Sequence, residues 1–240
     1  MKKVHIVPVL VVVLFAAACG DGPTAVAGPA KVRFFNAVWG TQDNIGFTTN
    51  TQFATGSALA YLQSTQTCST LDAGNTTFGI GLANASGTAL NSNTFVTLDN
   101  QTITDGGNYT VLAGGAVQHP SVVLLDNSFS GTLGANQAAV RFVNLAPGTE
   151  TAPNNYAAFI GTFGADGTLA GNNIELGVPT TFTTVVSGSN AFSVLRNHEV
   201  PPAVTGTPGT LNLQGGSVNT LAIVPNASGG FQLVNLPRCS

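Results

Sequence analysis

The stretch AKVRFFNAVWG (Ala30 to Gly40) returns as AAVRFVNLAPG (Ala138 to Gly148), with Val, Arg, Phe and Asn aligned 108 positions apart. Two further matches follow in the same order: GNTTFGIGL (Gly74 to Leu82) with GSNAFSVLR (Gly188 to Arg196) at 114, and GGNYTVLAG (Gly106 to Gly114) with GGSVNTLAI (Gly215 to Ile223) at 109. One such match arises by chance; three in order predict duplication of a unit of about 105 residues, an ordinary domain size. Residues 31–135 and 136–240 are therefore read as two β-domains of one design.

Each unit carries strand signals. Val32, Phe34 and Asn36 alternate with Arg33 and Phe35, and Thr77 to Leu82 alternates large apolar residues with Gly. Ser121 to Asp126 and Thr180 to Ser187 are short β-branched runs bounded by Gly, Pro or Asn, while Asp105-Gly106 and Asp166-Gly167 are turn pairs. No run of ten residues places apolar side chains at helical spacing among helix formers. About seven strands per unit predict an all-β chain of two tandem immunoglobulin-like antiparallel β-sandwiches, with a small barrel as the alternative closure.

A different segment precedes the repeats. Lys2 and Lys3 begin it, an apolar run with interruptions at His5 and Pro8 follows, and Ala16, Ala17 and Ala18 lead into Cys19. The apolar stretch is about fifteen residues long, short of the roughly 18 to 20 that span a bilayer, so it reads as an export signal. The cysteine after small residues resembles the bacterial lipobox, which implies a signal peptide over 1–18 and lipidation of Cys19. Two or more acyl chains there make a stable membrane anchor. Gly20 to Ala30 then forms a tether, the lipidated segment 19–30, which reaches at most about 35 to 40 Å when extended. Gly20 and Asp21 follow the cysteine in an order that favours the outer membrane over inner-membrane retention.

Lys2 and Lys3 leave with the signal, so seven basic residues become five against ten acidic ones, a net charge of −5. No lysine follows Lys31. That balance excludes a basic nucleic-acid face, a P-loop lysine and a polybasic membrane patch.

The repeated VRF-[FV]-N-x-[AV]-x-G start, the later G-x-x-[YV]-x-[TVL] strand and the lipoprotein signal together resemble a bacterial envelope family known as domain of unknown function 4397, often present as tandem copies. The resemblance runs from Ala30 to Leu236. It implies an envelope lipoprotein and no catalytic, cofactor or metal residue, because the family carries no established activity.

With Cys19 committed to lipid, Cys68 and Cys239 form an even pair in an oxidising compartment. A bridge between them is expected, with free or intermolecularly paired thiols as the alternative. Candidate chemistry is otherwise thin. His119 and His198 stand at non-equivalent places in the repeats, and the start of a zinc-protease motif at His198-Glu199 runs into Pro201 and Pro202, which forbid its helix. Seven aspartates are scattered singly at turns, without the spacing of a calcium loop. Trp39 follows the opening strand in a loop at one end of the predicted sandwich, where ligand contacts often sit, although packing into the core or a domain interface is the favoured reading of it. The chain reads as a non-enzymatic, lipid-anchored structural or protein-interaction module without cofactor. Surface binding of carbohydrate or peptide is the alternative, and an envelope enzyme a distant third. The implied partners are the membrane, through covalent lipid, and an envelope protein or glycan, with no nucleic acid.

Overall fold

The computed structural model describes residues 28–91, 95–147, 155–162, 166–196, 209–228 and 230–239. Sixteen strands account for its regular structure. The first eight are β1 (Ala30–Asn36), β2 (Ile45–Thr49), β3 (Gln52–Phe53), β4 (Ser69–Leu71), β5 (Gly74–Leu82), β6 (Val96–Ile103), β7 (Asn108–Ala116) and β8 (His119–Asp126). The next eight are β9 (Gln137–Asn144), β10 (Tyr156–Ile160), β11 (Thr168–Ile174), β12 (Thr183–Val186), β13 (Gly188–Arg196), β14 (Gly209–Leu213), β15 (Val218–Pro225) and β16 (Phe231–Asn235). Among the described residues no helix is long and apolar enough to cross a membrane.

The strands form four open sheets, ordered β4-β1-β7-β8, β3-β2-β5-β6, β12-β9-β15-β16 and β11-β10-β13-β14. The last two orders repeat the first two with every strand number raised by eight. The all-β sandwich reading holds, and open sheets replace the barrel alternative. Among the described residues each half has eight strands rather than about seven, and one pair in each is parallel: β1 with β7, and β9 with β15. Parallel pairing needs a long connection, and the five strands between β1 and β7 supply it.

The shared strand order also corrects one register. Asn36 pairs with Ala113 and Asn144 with Ile223, so β7 and β15 correspond at a separation of 110, not 109. A one-residue slip turns every side chain to the opposite face of a sheet. In the corrected register Thr110 matches Thr220, and both are buried. Gly106 and Gly216 then coincide as the positive-φ turn residues before the strand, at 68° and 75°.

Three apolar cores hold the sheets together. Val32, Phe34, Phe47, Phe78 and Ile80 fill the first sandwich. Val140, Phe142, Tyr156, Phe192 and Leu221 fill the second. The third core lies between the sandwiches, where Phe35, Ala37, Leu112 and Leu125 meet Val143, Leu145, Ala222 and Leu236. The positions match pairwise: Phe35 with Val143, Ala37 with Leu145, Leu112 with Ala222. Each half thus presents the same sheet face to the other, as in an isologous dimer interface. The molecule is a stack of four sheets, and its two middle sheets are buried on both faces.

The seam has polar ties as well. Tyr61 Oη donates to Pro225 O at 2.7 Å, and Asn108 Nδ2 to Cys239 O at 2.6 Å. Arg141 Nη2 reaches Asp126 O at 2.8 Å, while its Nε donates to Thr220 Oγ1 at 3.0 Å. Cys68 and Cys239 are joined in a disulfide with their Cα atoms 5.9 Å apart, across a separation of 171 residues.

Candidate binding site

The opening strand sets the site at its far end. Beyond Asn36 the parallel pairing with β7 continues, with Ala37 N donating to Ala113 O, Trp39 N to Gly115 O at 2.9 Å and Val117 N to Trp39 O. Asn36 fixes this exit. Its buried Oδ1 accepts from Val38 N at 2.9 Å, and its Nδ2 donates to Leu59 O at 2.9 Å. Asn144 does the same in the second half, accepting from Ala146 N and donating to Ile174 O. The repeated asparagine therefore satisfies backbone groups where each opening strand leaves its sheet.

A second loop brings an aromatic partner. Gln63 N donates to Ala60 O, closing a four-residue turn with Tyr61 and Leu62 at its centre. Leu62 has φ 62°, a left-handed conformation that turns of this kind usually assign to Gly. The Tyr61 and Trp39 rings meet edge to face, centroids 5.2 Å apart. Tyr61 is partly buried, and desolvation pushes its phenol well above the ordinary tyrosine range. Trp39 is half-buried. Its indole N–H has no hydrogen-bond partner among the described residues.

Trp39, Tyr61 and Gln42 line a recess of about 340 Å³. Gln42 also lines an adjoining cleft of about 490 Å³, which continues past Asp43, Asn44, Asn84 and Asn91. Thr41 Oγ1 accepts from Asp43 N at 2.9 Å and sets the near wall. Asn84 Oδ1 organises the far wall by accepting from Thr88 N and Ala89 N. Gln42, Asp43, Asn44 and Asn91 are exposed, and their side chains have no hydrogen-bond partner among the described residues. The combined cleft offers amides, hydroxyls and aromatic rings, with Asp43 its only formal charge among the described lining residues.

Among the described residues, the second half lacks the aromatic pair at the corresponding place. Pro147 stands where Trp39 does, and Leu176-Gly177 where Tyr61-Leu62 do, with Val178 N donating to Glu175 O to close the matching turn. Sequence reasoning singled out Trp39 but missed Tyr61 and the amide-lined cleft. The contrast of Tyr61-Leu62 with Leu176-Gly177 was the available signal, and it is visible only once the turns are aligned. His119 is exposed at the start of β8. Cys19 and His198 lie outside the described residues. Among the described residues no three His, Cys, Asp or Glu side chains gather closely enough to hold a metal ion.

The family model of the domain of unknown function (DUF4397) matches residues 25–152, more than half of the chain. The chain belongs to that family. The match covers the first half and the opening strand of the second. A solved structure described as that of a "putative cell adhesion protein" from Bacteroides uniformis ATCC 8492 is 11% identical, covering 88% of this chain and 97% of its own. Its TM-score is 0.26, too low to bear on fold or function. No curated protein matches the chain.

Proposed function

We propose that this protein is a lipid-anchored, non-enzymatic module of the bacterial outer membrane, whose two family domains, residues 31–135 and 136–240, form one body that presents a binding end to envelope partners. Cys19 carries the lipid, and the segment to residue 30 is the tether. The observation that carries the reading is the course of β1. At its start, Gly28 O accepts from Gly106 N, and Asn108 binds the carbonyl of the disulfide-bonded Cys239. At its other end stands Trp39, nine residues and roughly 30 Å further on at about 3.3 Å per residue. The tether and the interdomain disulfide thus share one end, and the aromatic cleft occupies the opposite one. The cleft's amides and aromatic rings suit recognition.

A Cys19→Ala variant tests the anchor by fractionation. It is expected to lose acylation and leave the membrane fraction; retention in the membrane as an uncleaved chain overturns the lipoprotein reading. Turnover of an envelope substrate by the purified mature protein overturns the non-enzymatic part.

A further inference from the structure

We infer that the cleft running from Trp39 to Asn91 is a binding site for a neutral carbohydrate. This deepens the reading of the molecule as a binding body and rests on it.

Three observations carry it. The first is the pairing of chemistries. A sugar presents an apolar C–H face and a rim of hydroxyls that both donate and accept. Trp39 offers a partly exposed side chain whose indole N–H has no partner among the described residues, and Gln42, Asp43, Asn44 and Asn91 extend uncommitted donors and acceptors beside it. Each recess falls within the ordinary volume range of small-molecule sites.

The second is charge. Among the described residues no lysine or arginine lines either recess, so they offer no counter-ion to phosphate, carboxylate and sulfate groups. The single carboxylate of Asp43 is too few ligands for a cation. The apolar lining amounts to a few side chains, little for a lipid chain or the anchors of a peptide.

The third is backbone strain. The turn that sets Tyr61 against Trp39 keeps a leucine at φ 62°, where the matching turn of the second half has Gly177 at 77°. A left-handed non-glycine residue is strained, and such outliers gather at functional sites. The unstrained turn lacks the tyrosine, and its half lacks the tryptophan.

Trp39 is the only tryptophan in the chain, so its fluorescence reports on this cleft alone. Purified mature protein is titrated to millimolar concentrations with neutral glucan, mannan, galactan and N-acetylglucosamine oligosaccharides. A saturable change in Trp39 emission with at least one of them, with matching protection from iodide quenching, is the expected result. By calorimetry, Trp39→Ala should weaken that binding about tenfold or more, a loss of about 1.4 kcal/mol. Gln42→Ala and Asn44→Ala, both at exposed positions that leave the fold intact, should each weaken it several-fold, and Asp43→Asn should change it little.

No response to any sugar in the set overturns the proposal, as does binding that survives both Gln42→Ala and Asn44→Ala. If a peptide library moves Trp39 emission and the sugars do not, the carbohydrate assignment fails while the binding-body reading stands. Failure of the anchor is read separately, from Cys19→Ala fractionation.

Discussion

Leu62 and Gly177 hold the same place in the two halves: each is third in a four-residue turn, each has positive φ, and each donates its N–H to the backbone oxygen of the asparagine ending its half's first strand, at 2.7 and 2.8 Å. Their surroundings differ. A Cβ on Gly177 would lie 2.6 Å from Val123 Cγ2, inside the seam between the sandwiches. Leu62 instead packs its side chain at the edge of that seam.

Exchanging the two residues should therefore have unequal effects. Leu62→Gly gives up part of a leucine's burial but relieves a strain of about 1 to 2 kcal/mol, so its net cost should stay near about 1 kcal/mol. Gly177→Leu adds both strain and overpacking and should cost more than about 2 kcal/mol. Urea denaturation of the two variants measures this, and equal costs would show that the close approach of Val123 to position 177 does not set the two turns apart.

The disulfide is the next test. Closing a loop of 171 residues contributes up to about 5 kcal/mol in the chain-entropy model. The Cys68→Ser/Cys239→Ser double variant should lose about 2 to 5 kcal/mol. The third apolar core stays in place without the bridge, so this variant should still unfold in one transition. Two separate transitions would mean that the bridge, not the core, couples the halves. Intact mass after alkylation, with and without reductant, establishes the bond itself: both cysteines should label only after reduction.

These features differ in how far the sequence alone reveals them. The alternation of Val32 and Phe34 and the parity of the cysteines are local or arithmetic signals, and both point to what the structure contains. The seam left no such trace. Phe35 is as apolar as Phe34, but only the second half, folded against it, makes its face of the strand an interior. Register was equally hidden: GG recurs before β7 and β15, and matching Gly106 to Gly215 looks as good in letters as matching it to Gly216. Only strand pairing separates the two. Trp39 drew notice as a singular residue, whereas Tyr61 and the amides of the cleft belong to loops whose proximity depends on the fold.

Arg33 and Arg141 illustrate the same point within the shared VRF motif. Arg33 Nη2 donates to Cys68 Sγ at 3.3 Å and is only half-buried. Arg141 is 7% exposed, stacks on the Phe182 ring at 4.5 Å, and hydrogen-bonds across the seam to Asp126 O and Asn127 Oδ1. Burial, reinforced by Arg238, lowers its pKa to about 10 although Asp126 opposes the shift. Arg141→Ala should cost roughly 2 to 4 kcal/mol through lost charged hydrogen bonds and stacking, and Arg33→Ala about 1 kcal/mol. The Arg141 guanidinium stays protonated at every pH below about 10, so the cost of Arg141→Ala should be the same at pH 5 and pH 8. Chemical denaturation at both values checks this; equal costs for the two arginines would remove the assigned role of Arg141 in the seam.

Tyr61 supplies a pH-dependent counterpart. Its hydroxyl bonds Pro225 O across the seam, and desolvation raises its folded-state pKa above the unfolded value of about 10. A group whose pKa is raised on folding contributes stability that is fully present below the unfolded pKa and is lost as pH rises toward the folded one. Between about pH 10 and the higher folded value the unfolded chain releases the phenol proton while the folded chain keeps it, so stability falls. Tyr61→Phe should cost about 1 kcal/mol at pH 7, the net worth of one hydrogen bond. That deficit should be constant up to about pH 9 and shrink above pH 10, where the wild type alone pays for retaining the proton. Paired denaturation curves across this range provide the measurement. A gap that widens above pH 10 would mean that the hydroxyl ionises more readily in the folded protein, which a hydrogen bond donated to a carbonyl in a desolvated seam does not permit.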